Sequence, residues 1–270
     1  MSREDSLRST NHESRCVNYL VTGGAGSIGR EFVRQLDALA VDISEPGVCE
    51  LGSGVLGDIK NPEFIHKHRP RTVVHTAAYK HVPFSEENVG VVIDNNINGT
   101  RALLDACVDT GVDRFLFVST DKAANPISTM GLTKALGEKL CLSYSHRMEV
   151  VVVRFGNVKW SSGAVHQIFQ KQHKAGKPLT VTHKDCTRYF ITAQEAVELS
   201  LEALSMGTGT YTFDMGEPVC IDSIAKEISD DIIYTGLKPG ERLEESLTST
   251  SERLEPTSHK KVWRIHGVHS

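Results

Sequence analysis

The sequence predicts an α/β protein built on a doubly wound parallel sheet, with a smaller C-terminal lobe. Short β-branched runs alternate with amphipathic stretches from Val17 to Val118, which is typical of parallel strands joined by crossover helices. A glycine-rich loop follows the first run and opens a helical pattern. With 270 residues, 39% of them hydrophobic, the chain can bury a full core. Together these observations predict a Rossmann-like fold.

The predicted sheet contains six strands from the first part of the chain. They are Asn18 to Thr22, Leu39 to Ile43, Gly54 to Leu56, Thr72 to His75, Arg114 to Ser119 and Val150 to Arg154. Between the fourth and fifth strands, four apolar residues recur at helical spacing: Ile93, Ile97, Leu104 and Val108. This spacing predicts a helix that packs one face on the sheet. A further helix, from about Ser128 to Ser145, carries Met130 and Lys134 one turn apart on the same face.

After Arg154 the alternation of strand-like and helix-like patterns becomes less regular, which predicts a smaller lobe over the carboxyl edge of the sheet. Its predicted helices are Ala164 to Ala175, Ala193 to Met206 and Ile221 to Ser229, and its predicted strands are Leu179 to Thr182 and Tyr211 to Asp214. The boundaries follow: a flexible leader at 1–15, a dinucleotide-binding domain at 16–155, and a lobe at 156–270 with some segments returning to the core. The segment Thr248 to Ser258 is rich in Ser, Thr, Glu and Pro, and composition alone predicts a flexible terminus.

Composition excludes several classes of protein. The net charge of -4 leaves no basic face for a phosphate backbone, so no nucleic-acid partner is expected. The longest apolar runs, such as Val150 to Val153, have the length of a strand, and the polar segment from Met1 to Arg15 has no signal-peptide core. We therefore expect no membrane association and a cytoplasmic location. The six cysteines form no C-x-x-C pair, so neither a metal site nor a disulfide framework is predicted.

The glycine-rich loop is a candidate phosphate-binding site. It reads Thr22-Gly23-Gly24-Ala25-Gly26-Ser27-Ile28-Gly29. Glycines permit the tight turn and let backbone N–H groups reach a diphosphate at the positive end of the helix. A strand-to-helix turn without a ligand is the alternative, but the strand, spacing and helix all agree with a dinucleotide site. The candidate cofactor-binding residues here are Gly23, Gly26, Ser27, Ile28 and Gly29.

Two aspartates follow the next strands. Asp42 ends the second strand about twenty residues after the loop, where a carboxylate can accept the ribose hydroxyls of the adenosine half. Ile43 and Ser44 follow it, and no Arg or Lys stands there to hold a 2′-phosphate, so NAD is favoured over NADP. An ordinary strand-end turn is the other interpretation of Asp42. Asp58, beside Ile59, either contacts adenine or is a turn residue, and both interpretations stay open.

The segment after the fifth strand is the most informative part of the chain. It reads Ser119-Thr120-Asp121-Lys122-Ala123 and is followed by Met130-Gly131-Leu132-Thr133-Lys134. Ligands bind at the carboxyl ends of the strands in such sheets. An acid, a base and a second lysine beside a dinucleotide site therefore indicate catalysis. The alternative is that Asp121 and Lys122 form a solvated ion pair just past a strand end.

These motifs resemble those of the extended short-chain dehydrogenase/reductases. Within that class the chain is similar to the UDP-N-acetylglucosamine 4,6-dehydratases of capsular-polysaccharide synthesis and flagellin glycosylation. The resemblance rests on the glycine loop, Ala77-Ala78-Tyr79-Lys80-His81-Val82-Pro83, the segment 119–123 and Met130-x-x-x-Lys134. It continues through Arg154-Phe155-Gly156-Asn157-Val158, Thr187-Arg188-Tyr189-Phe190, Asp214-Met215-Gly216-Glu217-Pro218, Gly236-Leu237-Lys238-Pro239-Gly240-Glu241 and Pro256-Thr257-x-His259. The last match argues against a flexible terminus.

The chain departs from the pattern of the family in two ways. The first crossover helix, from Ser27 to Asp37, is about two turns shorter than usual, and the crossover between Asp42 and Val55 is also compressed. We therefore expect an open adenosine end. Met130 stands where a Tyr normally accepts a proton, although some members of this branch also carry Met.

The resemblance implies a mechanism with NAD as a catalyst regenerated in each turnover. Hydride leaves C4 of the sugar and returns to C6 after elimination across C5 and C6. Lys122 would take the C5 proton, which requires an environment that favours the neutral amine, and Asp121 would protonate the leaving C6 hydroxyl. Thr120 would bond the C4 oxygen. The product is a 4-keto-6-deoxy sugar nucleotide.

The resemblance also implies roles for the neighbouring residues. Lys134 would bond the nicotinamide ribose and add positive charge near the C4 oxygen, and Met130 would pack against the sugar ring or the cofactor. The acceptor of the C4 hydroxyl proton stays open between Lys134, Asp121 and a water.

Further residues are implied at the cofactor and at the substrate. The additional cofactor-binding candidates are Ala77, Ala78, Lys80, Asn96 and Ser119. The substrate-binding candidates are Lys80, Asn157, Arg188 and Glu241, of which Arg188 offers a forked donor set to phosphate. The lobe at 156–270 would be mainly substrate-binding. His81 has either a local loop role or a functional one, and the family implies a homo-oligomer.

Three functions remain in competition. The leading one is 4,6-dehydration of UDP-N-acetylglucosamine, with or without inversion at C5. A nucleotide-sugar 4-epimerase needs no C6 elimination, so the Asp121–Lys122 pair argues against it. A non-catalytic dinucleotide sensor has no need of the intact set Asp121, Lys122 and Lys134.

Overall fold

The structure, a computed structural model, describes residues 17–52 and 54–267. The predicted leader at 1–15 lies outside the described residues. Within these described ranges there are fifteen strands: β1 Tyr19–Thr22, β2 Leu39–Asp42, β3 Gly54–Leu56, β4 Thr72–His75, β5 Arg114–Val118, β6 Glu149–Arg154, β7 Asn157–Val158, β8 Leu179–Val181, β9 Thr187–Arg188, β10 Phe190–Ile191, β11 Gly209–Phe213, β12 Val219–Cys220, β13 Ile232–Tyr234, β14 Arg253–Pro256 and β15 Val262–His266.

The helices alternate with the strands. They are α1 Ser27–Leu36, α2 Glu45–Glu50, α3 Glu63–His68, α4 Val82–Glu87, α5 Val89–Ile93, α6 Thr100–Thr110, α7 Thr129–Ser143, α8 Val165–Lys174, α9 Ala193–Ser205 and α10 Ile221–Lys226, with a π-helical segment at Asp94–Gly99 and a 3-10 turn at Asp121–Ala123. The two crossover helices are short, since α1 has 10 residues and α2 has 6.

The main sheet has nine strands in the order β3-β2-β1-β4-β5-β6-β11-β15-β14. The strands from β3 to β11 are parallel, whereas β15 and β14 are added antiparallel. The order 3-2-1-4-5-6 is that of a doubly wound dinucleotide-binding sheet, which confirms the predicted fold class. The order reverses between β1 and β4, where Thr22 lies opposite His75, and the crevice at this switch point is where such sheets bind ligands.

Helices cover both faces of the sheet because its central strands are apolar on both sides. In β6 the residues from Val150 to Val153 are fully buried, and successive side chains point to opposite faces. Val150 and Val152 pack in one cluster with Leu103 of α6. The other two valines pack in a second cluster with Phe32 of α1.

A third cluster lies outside the main sheet. It joins α8 and α10 to the two-stranded sheet of β8 and β13 through Phe169, Leu179, Val181, Ile224 and Ala225. Two further two-stranded sheets, β7 with β10 and β9 with β12, connect these segments. The chain then returns to the main sheet at β11, β15 and β14.

The flexible terminus that composition alone predicts is wrong. Arg253–Pro256 forms β14, which pairs with β15. Glu252, immediately before it, makes a 2.9 Å ion pair with Arg154, which also pairs with Glu138 at 2.6 Å. All three side chains are at most 2% exposed. This polar segment is held in place because the Glu252 carboxylate forms an ion pair with the buried Arg154 guanidinium.

Within the described part of the chain, no helix is long and apolar enough to span a bilayer. The same residues contain no group of three or more side chains suited to hold a metal ion.

Candidate active site

The glycine loop forms a cradle that side chains would fill. Gly23 has φ +70°, and a Cβ placed on it would lie 2.7 Å from the backbone nitrogen of Ala77. A Cβ on Gly29 would lie 2.0 Å from the carbonyl oxygen of Gly23. Helix α1 follows with Gly26 as its N-cap, no side-chain cap and no acidic residue in its first turn. Its first N–H groups are thus suited to an anion such as a dinucleotide diphosphate.

Asp42 is held against the glycine loop at the end of β2. Its Oδ2 accepts from the backbone N–H of Ala25 at 3.0 Å, and its Oδ1 accepts from that of Ser44 at 3.0 Å. The carboxylate is therefore fixed beside the phosphate cradle, where the predicted ribose contact would form. The role itself stays a prediction.

Asp58 and Ile59 make local contacts at the end of β3. The Oδ1 of Asp58 accepts from the backbone N–H of Lys60 at 2.9 Å, which closes a turn. Ile59 is 4% exposed and packs in the core. Adenine contacts by either residue stay predictions.

Asp121 and Lys122 lie in the 3-10 turn that follows β5. The Oδ1 of Asp121 accepts from Thr120 Oγ1 at 2.8 Å and from Lys122 Nζ at 2.9 Å. The Asp121 side chain is fully buried, and that of Lys122 is 18% exposed. The interpretation as a solvated surface pair is therefore wrong, because the sheet edge and the C-terminal segments cover this turn.

The second carboxylate oxygen of Asp121 is buried without a partner. Among residues 17–52 and 54–267, no donor makes a hydrogen bond to Oδ2. A buried carboxylate oxygen without a donor is costly unless a ligand completes it. The atom is thus suited to a ligand hydroxyl beside the Lys122 amine.

Sequence reasoning missed a third charged group of this cluster, Glu245. Its Oε1 lies 3.6 Å from Lys122 Nζ, and its side chain is 7% exposed. Burial raises the pKa of the Glu245 carboxyl, whereas the Lys122 ammonium acts in the opposite direction. The signal was ambiguous, since Glu241, Glu244 and Glu245 stand close together and only the fold shows which of them turns inward.

Met130 and Lys134 lie on α7 as predicted, and both are buried. The Lys134 Nζ lies 4.1 Å from the centroid of the Phe117 ring. Burial lowers the pKa of Lys134 to about 8, while Cys141 and Glu138 oppose that shift. A substantial fraction of this amine is therefore neutral at mildly alkaline pH.

His75 lies beside Lys134 in the interior. Its ring is hydrogen-bonded to Thr22 Oγ1 at 2.7 Å and to Thr100 Oγ1 at 2.9 Å. Burial first, and then the positive charge of Lys134, lower the pKa of His75 to about 3. His75 is consequently a neutral structural residue at physiological pH.

Several predicted cofactor residues are tied to one another. The Oδ1 of Asn96 accepts from the N–H of Tyr79 at 2.9 Å, and its amide donates to the Tyr79 carbonyl and to Thr133 Oγ1. Asn96 thus fixes the segment that carries Ala77 and Ala78 against α7. Ser119 donates its hydroxyl to the buried carboxylate of Glu138.

The loop at 159–164 lies against the phosphate cradle. The N–H of Ser162 donates to Ser27 Oγ at 3.0 Å, and Lys80 Nζ donates to the Ser162 carbonyl at 2.9 Å. Burial lowers the pKa of Lys80. A Cβ on Gly163 would lie 2.6 Å from the His81 ring, so His81 has at least a local packing role. Ser27 and Lys80, two predicted cofactor residues, thus bind the same residue of this loop, Ser162.

The predicted substrate residues are less clearly assembled. Arg188 donates its two terminal nitrogens to the carbonyls of Thr187, Leu243 and Arg242. Glu241 accepts from the backbone N–H of Lys238 at 2.9 Å. Contacts of Asn157, Arg188 and Glu241 with a nucleotide stay predictions.

The fold and this site define an extended short-chain dehydrogenase/reductase. The family model described as "Polysaccharide biosynthesis protein" matches residues 45–267, and the chain belongs to this family. It is 35% identical to the capsular polysaccharide biosynthesis protein CapD of Staphylococcus aureus over 91% of the chain and 47% of that protein. The chain therefore spans about half the length of this relative.

Relatives of comparable length have two different names. A UDP-glucose 4-epimerase of Rickettsia rickettsii is 34% identical over 91% of this chain and 82% of its own length. A UDP-N-acetylglucosamine 4,6-dehydratase (inverting) of Campylobacter jejuni is 30% identical over 87% of this chain and 78% of its own length. Among solved structures, Pen from Bacillus thuringiensis superposes with a TM-score of 0.85 at 27% identity, covering 93% of this chain and 88% of that one.

Proposed function

We propose that the chain is a nucleotide-sugar hydro-lyase that carries out the NAD-dependent 4,6-dehydration of UDP-N-acetylglucosamine. The coarser function, a nucleotide-sugar dehydratase or epimerase, is supported by the names of its relatives. The finer function rests on one observation: Asp121, fully buried, has one oxygen bonded to Lys122 Nζ and the other without a donor among the described residues. Elimination of water needs such an acid beside such a base.

NAD is the proposed cofactor, and the residues present fit it. The glycine cradle leaves room for a diphosphate at the start of α1, and Asp42 supplies a carboxylate for the ribose hydroxyls. The same carboxylate would repel a 2′-phosphate, so NADP is the weaker candidate. NAD, when bound, would supply the acceptor for the C4 hydride and the donor that returns it to C6.

Asp121 and Lys122 carry out the elimination in this proposal. A shift of one proton along the 2.9 Å hydrogen bond converts their ion pair into a neutral amine and a carboxylic acid. Lys122 then takes the C5 proton, and Asp121 gives its proton to the C6 hydroxyl, which leaves as water. Lys122 later returns a proton to C5.

Thr120 and Lys134 act at the C4 oxygen. Thr120 Oγ1 donates to Asp121 and accepts from the backbone N–H of Lys122 at 3.5 Å, which leaves a second lone pair to accept from the C4 hydroxyl. We assign the C4 proton to Lys134, because its pKa of about 8 makes a neutral amine available and Met130 is no base. After elimination one proton is on Lys134 and one is missing from Asp121, so transfer between them resets the site.

The lobe at 156–270 is proposed to hold the UDP half, through Asn157, Arg188 and Glu241. The forked guanidinium of Arg188 suits a diphosphate. Its terminal nitrogens already bind backbone carbonyls, so the proposal requires the diphosphate to share these donors or to reach Nε.

A mass measurement tests the function. Purified protein is incubated with UDP-N-acetylglucosamine, and we expect a product that has lost one water. The nucleotide released on denaturing the protein should have the mass of NAD. A product isobaric with the substrate would instead identify a 4-epimerase, the second candidate, which the similarity to the Rickettsia epimerase favours. An unchanged substrate would indicate the non-catalytic dinucleotide sensor.

We also propose that the chain forms a homo-oligomer through α5 and α7, which pack against each other. Val91, Leu132 and Leu136 on these helices are each about half exposed. An apolar patch of this kind typically marks an interface between proteins. Leu136→Asp should therefore lower the mass measured by light scattering to that of the monomer. Ile168→Asp, on the exposed face of α8, is the matched control, and an unchanged mass for both variants would contradict the proposal.

A further inference from the structure

The segment 242–247, here called the strap, is fastened at both ends. At its start, Arg188 donates to the carbonyls of Arg242 at 2.8 Å and Leu243 at 2.9 Å. At its end, the buried Arg154 donates to the Leu247 carbonyl at 3.4 Å. Two arginines from the ends of two other strands thus fix the backbone of the strap on either side of Glu245.

The strap brings Glu245 to Lys122. The Lys122 amine lies 2.9 Å from Asp121 Oδ1 and 3.6 Å from Glu245 Oε1, so two carboxylates hold it. The charged groups that face Glu245 are Lys122 and Asp121 from the 3-10 turn, Arg188 from β9, and Arg242 on the strap itself. Burial of the Glu245 carboxylate is tolerated because a cation is adjacent to it.

We infer that Glu245 is a positioning residue that holds the Lys122 amine in place and, as an adjacent negative charge, favours its ammonium form. The inference rests on the proposed function, in which Lys122 exchanges a proton with C5 of the sugar. It adds a second carboxylate, from a segment far along the chain, to the Asp121–Lys122 pair.

The sign of the effect follows from the charges. An ionised Glu245 favours the ammonium form of Lys122, as an opposite charge within a few ångströms does. Burial raises the pKa of Glu245, but this carboxyl still ionises at a lower pH than an amine. Removing its charge therefore shifts the loss of the Lys122 proton to lower pH.

The test compares Glu245→Gln with the wild type. The pH dependence of Lys122 acetylation by acetic anhydride is followed by peptide mass, which requires no enzyme activity. We expect the midpoint in Glu245→Gln to move to lower pH by about 1 pH unit. The limb of the kcat profile that falls with pH should move in the same direction, because the Asp121–Lys122 pair then has no proton to give to the C6 hydroxyl. Glu244→Gln, at the exposed neighbouring carboxylate, should leave both midpoints unchanged.

The alternatives give different results. If Glu245 only anchors the strap, Glu245→Gln lowers the melting temperature and leaves the labelling midpoint in place, which overturns the inference. Glu245→Asp keeps the charge and should keep the wild-type midpoint, so it serves where the glutamine variant fails to fold. A midpoint that moves in a protein whose wild type forms no dehydrated sugar supports the role of Glu245 and refutes the proposed function.

Discussion

Lys122→Ala is expected to abolish the proposed dehydration of UDP-N-acetylglucosamine, with a fall in kcat of about 1,000-fold or more. The substitution removes the only amine within hydrogen-bond distance of Asp121 among the described residues. Without it neither the C5 proton nor the internal proton shift to Asp121 has a carrier. Product formation is measured by mass, and loss of deuterium from C5-labelled substrate reports the proton abstraction separately.

Two further variants separate the base from its charge. Lys122→Arg keeps a positive charge beside Asp121 but offers no neutral amine at working pH, so it should also be inactive while still binding substrate. Lys139→Ala removes an exposed lysine of α7 and should react at the wild-type rate. Met130→Tyr should retain dehydration. Wild-type rates in Lys122→Ala would remove Lys122 from the mechanism.

The sequence predicted those features of the fold that depend on local pattern. The apolar run from Val150 to Val153 predicts a strand, and the structure buries all four residues in β6. The glycine loop likewise determines a tight turn, because Gly29 has no space for a Cβ. Burial pattern and backbone geometry are encoded within a few residues. These local signals were enough to predict the doubly wound sheet.

The features that the sequence did not predict depend on partners far along the chain. Arg154 meets Glu252 across 98 positions, so composition alone gave a flexible terminus where β14 forms. Glu245 approaches Lys122 only because Arg188 and Arg154 fix the strap. These ion pairs join residues that are far apart in the sequence. The residues around either partner give no indication of which residue it will pair with.

Lys134→Met is expected to stabilise the protein at pH 7 while it abolishes activity. Burial lowers the pKa of Lys134 from its ordinary value of 10.5 to about 8, which corresponds to a cost of ~3 kcal/mol for holding the ammonium in the interior at pH 7. Methionine keeps the apolar stem and removes that cost, so the free energy of unfolding should rise by about 1 to 3 kcal/mol. Activity should be lost because the amine proposed to contact the nicotinamide ribose and the C4 oxygen is gone, a trade of function for stability.

The pH dependence identifies the cause of this stabilisation. Between pH 8 and 10.5 the unfolded wild type binds a proton at Lys134 that the folded protein has released, so wild-type stability rises with pH in this window. Lys134→Met lacks this contribution. The difference in free energy of unfolding between the variant and the wild type, measured with urea, should therefore be smaller at pH 10 than at pH 7. Lys171→Met, at an exposed position of α8, should match the wild type at both pH values. The opposite result would be a Lys134→Met protein whose free energy of unfolding is lower than that of the wild type by the same amount at pH 7 and at pH 10. That result would show that the buried Lys134 ammonium does not destabilise the folded protein.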